Sequence, residues 1–143
     1  MKPLVIALLA LGSAAPAFAA NLPGFRSPTG NISCLFIPRG GGGAPATMLC
    51  KLAHAHYAQA LQARCNGLDW HGFVLPSARK GAVNCSGGSL YNPTTQRPTY
   101  VTLAYGKTWR QKMFSCTSQV NGVNCSNPHG HGMFISRQTW RTW

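Results

Sequence analysis

The stretch Phe114-Ser115-Cys116-Thr117-Ser118-Gln119-Val120-Asn121-Gly122-Val123-Asn124-Cys125-Ser126-Asn127 sets two cysteines on either side of an Asn-Gly pair. Asn-Gly between two strand-like runs is the strongest short hairpin signal, because both residues tolerate positive φ and the resulting twist matches that of the flanking strands. Residues 111–118 and 123–127 are therefore expected to pair. Cys116 and Cys125 then lie across adjacent strands, placed for a disulfide.

Outward from the hairpin, the chain reads as short strands joined by glycine and proline turns. Pro28-Thr29-Gly30 turns into an apolar run over residues 31–37, and residues 47–52 supply its return. Gly40 to Gly43 forms a loop with no Lys-Ser/Thr after it, so it is not a phosphate cradle. Residues 53–64, rich in Ala, Gln and Leu, are the one helix-prone segment. Residues 73–75 read as a brief strand, 76–99 mostly as loop, and 100–105 and 133–137 as further strands. The expected fold is mainly β: a small single-domain antiparallel sheet or compact barrel-like domain, with one short helix.

The N-terminus speaks to compartment. Lys2 precedes an apolar run from Leu4 to Leu11, and Ala17-Phe18-Ala19 has the small residues of a signal-peptidase site, so residues 1–19 read as a signal peptide and 20–143 as one exported domain. The apolar run is too short to span a bilayer, and the protein is not expected to be integral to a membrane. Export, to the periplasm or beyond the cell, favours oxidised cysteines. Six cysteines permit 15 connectivities; local strand-loop-strand closure favours Cys34 with Cys50, Cys65 with Cys85, and Cys116 with Cys125. Zinc ligation is disfavoured, as there is no C-x-x-C spacing.

The segments Phe25-Arg26-Ser27-Pro28-Thr29-Gly30-Asn31-Ile32-Ser33-Cys34, Asp69-Trp70, Tyr105-Gly106-Lys107-Thr108-Trp109-Arg110, Phe114 to Ser118, Gly122 to Asn127, and Gly130-His131-Gly132-Met133-Phe134-Ile135-Ser136-Arg137 stand out together. In them the chain resembles a family of bacterial exported proteins of unknown function. The resemblance implies a shared disulfide-bonded fold in an exported protein. It implies no activity.

Thirteen Lys and Arg residues stand against one carboxylate, Asp69, for a formal charge of +12 that falls by one if Lys2 is removed with the signal. Two-carboxylate glycoside hydrolysis is excluded, and so are calcium sites that need several carboxylates. Asp69 reads as a structural anchor beside Trp70. His129 and His131, in a turn between two strands, are the candidate catalytic pair, one imidazole as base and the other as acid in a small hydrolase or ribonuclease. H-x-H at 54–56 and 129–131 invites a metal, but no third ligand is evident, and no metal or cofactor is expected.

The basic residues are dispersed, never five in a row, and describe a cationic folded surface rather than a basic tail. Trp109-Arg110 and Trp140-Arg141-Thr142-Trp143 join aromatic rings to guanidinium groups, a combination that stacks on sugars or bases while meeting an anion. Trp109, Arg110, Trp140, Arg141 and Trp143 are the candidate binding set, although Trp109 also suits a core. The expected function is a monomeric binding module for an anionic envelope polymer, a lipid headgroup or an acidic protein. A His-dependent hydrolase is the alternative, and a secreted inhibitor or effector directed at another protein is a third.

Overall fold

The computed structural model describes residues 19–86 and 88–143, so the signal peptide expected over residues 1–19 lies, apart from Ala19, outside the described residues. Among the described residues, eleven strands form two sheets. The first contains β1 (Ala20–Arg26), β2 (Ile32–Ile37), β3 (Thr47–Leu52), β4 (Asp69–Pro76), β5 (Ala82–Ser86) and β6 (Gln96–Thr102), in the order β5-β4-β3-β2-β1-β6. The second contains β7 (Thr108–Gln111), β8 (Phe114–Gln119), β9 (Gly122–Ser126), β10 (Gly132–Ile135) and β11 (Trp140–Thr142), in the order β11-β10-β9-β8-β7. Every pairing is antiparallel except β1 with β6, which is parallel.

The mainly β class stands, with several boundaries moved. The helix, α1, covers only Ala58–Arg64, the last part of the Ala-rich segment. β1 and β11 form where no strand is expected, and β5 and half of β6 fall in the expected 76–99 loop. Lys112, at φ 53°, breaks the expected 111–118 strand into β7 and β8. The hairpin itself is present, but Gln119 pairs with Gly122, which leaves Val120 and Asn121 as its two connecting residues.

Strand alternation builds the core. Ile32, Cys34 and Phe36 of β2 point inward with Met48 and Cys50 of β3 and with Phe73 and Leu75 of β4, and meet Phe114, Cys116, Val123, Cys125, Met133 and Ile135 of the second sheet. Full burial of each large side chain contributes about 1.5–3 kcal/mol. At the centre, Cys34 pairs directly opposite Cys50 and Cys116 directly opposite Cys125, each with 4.0 Å between Cα atoms. The sulfurs of Cys34, Cys50 and Cys125 lie within 4.8 Å of one another. The two bridges therefore lie close together across the inter-sheet space. Cys65 at the end of α1 closes the third bridge, to Cys85 on β5. All three expected pairings are present and no free cysteine remains among the described residues.

Candidate functional site

Turns at one end of the two sheets enclose a polar cleft of about 380 Å³. Its first wall is the β1–β2 turn. Ser27 Oγ accepts the Ile32 amide at 3.1 Å, the Gly30 amide donates to the Ser27 carbonyl at 2.8 Å, and Gly30 takes a positive φ of 73°. Ser27 is thereby spent on the turn, which leaves Thr29 and Asn31 at the cleft.

Asn31 fastens the next wall. Its Nδ2 donates to the His54 carbonyl at 3.1 Å and its Oδ1 accepts the His54 amide at 2.9 Å, so the stretch after β3 is held beside the turn. Two residues on, the His56 amide donates to the Arg137 carbonyl at 2.9 Å and the Tyr57 hydroxyl to the Ser136 carbonyl at 2.7 Å. These bonds dock the β10–β11 turn, and with it Arg137, against the same segment. Ser136 Oγ accepts the amides of Gln138 and Thr139, closing that turn locally. The Gly106 amide donates to the Ser118 carbonyl at 2.7 Å, which brings Tyr105 to the rim beside Gln119 and Asn121 of the hairpin loop.

The cleft thus offers one guanidinium, one imidazole, one phenol and a set of amides, and no carboxylate. Arg137, His54 and Tyr105 are exposed and accessible to a ligand. Burial pushes the nearby Tyr57 phenol well above its ordinary pKa, so it remains a donor to Ser136.

Apart from His54, the candidate site residues of the sequence lie elsewhere. His129 and His131 occupy the β9–β10 turn, where both backbone amides donate to Asn127 Oδ1, at 3.0 and 3.2 Å. Asn127 in turn donates to the carbonyls of Pro76 and Arg79. This motif serves backbone conformation, and neither histidine lines the cleft. Asp69 is exposed at the start of β4. The sulfurs of Cys34, Cys50 and Cys125 are close enough to suggest a metal site, but all are oxidised.

Trp109 packs on Phe25, with 5.3 Å between ring centroids, while Arg110 is exposed and donates to Ser115 Oγ. Trp140 packs on Phe73 and Tyr57 beneath the Arg64 guanidinium. Arg141 lies over Trp143, 4.9 Å from its centroid. β7 and β11 are opposite edges of one sheet, four strand spacings or about 19 Å apart, so the two aromatic-basic pairs do not share one contact surface. Among the described residues, Arg137 is the only Lys or Arg that lines the cleft.

Sequence alone did not bring Thr29, Asn31, His54, Tyr105 and Arg137 to one cleft. The available signal was that Thr29, Asn31, Tyr105 and Arg137 all lie in segments that carry the family resemblance.

Fold and site define a disulfide-bonded β-domain of two sheets with a polar cleft at its turn end. The chain belongs to the Family of unknown function (DUF6636), whose model matches residues 3–141. No curated protein and no solved structure is similar to it. No helix among the described residues is long and apolar enough to cross a membrane.

Proposed function

We propose that this protein is an exported, monomeric binding module for an acidic saccharide, the repeating unit of an anionic envelope polymer, held in the cleft between the β1–β2 turn and Arg137. The observation that carries this reading is the convergence of Arg137, His54, Tyr105 and the amides of Asn31, Gln119 and Asn121 from distant segments onto one cleft. A guanidinium meets a carboxylate by charge-assisted hydrogen bonds, an exposed phenol ring stacks on a sugar, and amides match hydroxyl groups as both donor and acceptor. The dispersed positive charge supplies long-range attraction, and the cleft supplies the contacts that survive screening, as the Debye length shrinks from roughly 30 Å at 0.01 M salt to about 8 Å at 0.15 M. The separation of His129 and His131 from this cleft favours binding over catalysis.

The test is calorimetric titration with an oligouronate and with a neutral oligosaccharide of equal length at 0.15 M salt. Wild type is expected to bind the oligouronate, Arg137→Gln to lose about tenfold in affinity, and Arg110→Gln, an identical change in charge, to lose little. Equal losses in the two variants would reduce the interaction to general charge attraction.

A further inference from the structure

The outer face of the first sheet holds a second, separate apolar cluster. Leu35 and Leu49 are only 2% and 3% exposed, yet neither belongs to the inter-sheet core. They alternate with Cys34 and Cys50 on β2 and β3 and so point away from the second sheet. Beside them a hollow of about 260 Å³ is walled by Ile37, Pro38, Pro45, Val74 and Leu90. A second hollow, of about 310 Å³, shares Asn84 and Leu90 with the first and ends at Lys51 and His71. The trough is therefore apolar at one end and basic at the other.

Asn84 stands at the junction. It is 8% exposed, and its Nδ2 is buried with no acceptor. A buried donor left unpaired costs about 1–3 kcal/mol, so such groups normally have a partner. Nδ2 is closed off from the hollows as it stands, so a ligand acceptor meets it only when the Asn84 side chain turns toward the trough, and that turn removes the cost.

We propose that this trough is a binding site for a single-chain fatty carboxylate. The chain lies against Ile37, Pro38, Pro45, Val74 and Leu90, the negative charge faces Lys51 and His71, and the Asn84 amide turns toward the trough to donate to one carboxylate oxygen. Charge complementarity selects this occupant over neutral or cationic amphiphiles, in a chain with thirteen basic residues and one acidic one. The site is distinct from the cleft at Arg137, so its failure leaves the saccharide reading untouched, and the reverse also holds.

The experiment is titration of the full protein with dodecanoate, dodecyl phosphate, dodecyl maltoside and dodecyltrimethylammonium, each below its micelle concentration. Dodecanoate is expected to bind most tightly and to shift the methyl resonances of Leu49, Val74 and Leu90. Asn84→Leu and Lys51→Ala are each expected to weaken it about tenfold, with Arg137→Gln unchanged. Lys51 is exposed, so its variant reports even if Asn84→Leu does not fold. Equal binding of all four amphiphiles, tighter binding of the phosphate, or unchanged affinity in Lys51→Ala would each overturn the assignment.

Discussion

Asn31 and His54 exchange two hydrogen bonds, side-chain amide to backbone, in the pattern that neighbouring strands use with each other. The side chain thus extends the pairing of β2 with β3 beyond its end and sets the width of the cleft. Asn31→Ala leaves the His54 amide and carbonyl without that partner and is expected to cost about 1–2 kcal/mol, seen as a lower midpoint in urea. It is also expected to weaken oligouronate binding, because His54 loses its anchor. An unchanged midpoint with unchanged binding would remove Asn31 from the architecture of the site.

The bridges are expected to open in a fixed order under mild reductant. Cys34, Cys50, Cys116 and Cys125 are fully buried, whereas Cys85 is only partly so. A thiolate reaches Cys65–Cys85 without unfolding, but reaches the central pair only when the sheets separate. Timed alkylation and mass spectrometry read the order. Losing Cys65–Cys85 alone is expected to cost about 3 kcal/mol and leave the two sheets paired; early opening of Cys116–Cys125 would contradict this.

Tyr57 ties stability to high pH. Burial raises its pKa in the folded state above the unfolded value near 10, and the phenol donates to Ser136 only while protonated. The stabilisation is fully present below about pH 10 and is lost as pH rises towards the folded value. Tyr57→Phe is expected to lose about 1 kcal/mol at neutral pH and to show a shallower alkaline decline. Tyr100, also raised chiefly by burial, keeps part of the slope. Tyrosinate absorbance recorded alongside circular dichroism checks both.

Gly132 leaves room for the indole of Trp143. A Cβ there would sit 2.5 Å from Trp143 Cζ2 and 2.6 Å from the Cys125 carbonyl oxygen. Gly132→Ala is expected to destabilise by about 1–3 kcal/mol, measured as a shift of the thermal midpoint. Removing residues after Thr139 is more severe, since it deletes β11 and with it the Trp140 ring that packs on Phe73. That truncation tests stability before it tests binding.

The contrast between what sequence revealed and what it hid has a local cause. The three bridges and the β8–β9 hairpin were legible because each depends on residues close in the chain or on paired cysteines. β1 was not, because Asn21, Pro23 and Gly24 are poor strand formers and the segment is held by tertiary pairing with β2 and β6. β11 lacked a pattern because three residues are too few to show one. The cleft was hidden for a different reason: its walls come from turns far apart in sequence, joined by Asn31 to His54 and by Tyr57 to Ser136. The aromatic-basic pairs stood out by adjacency, yet Trp109 and Trp140 largely spend their rings on packing.

The most direct test of the central claim is a backbone and side-chain chemical-shift map during oligouronate titration at 0.15 M salt. Perturbations are expected only at Thr29, Asn31, His54, Tyr105, Gln119, Asn121 and Arg137, saturating together with one dissociation constant. Shifts spread over Arg79, Lys80, Arg110 and Arg141 without saturation, or centred on His129 and His131, would contradict it.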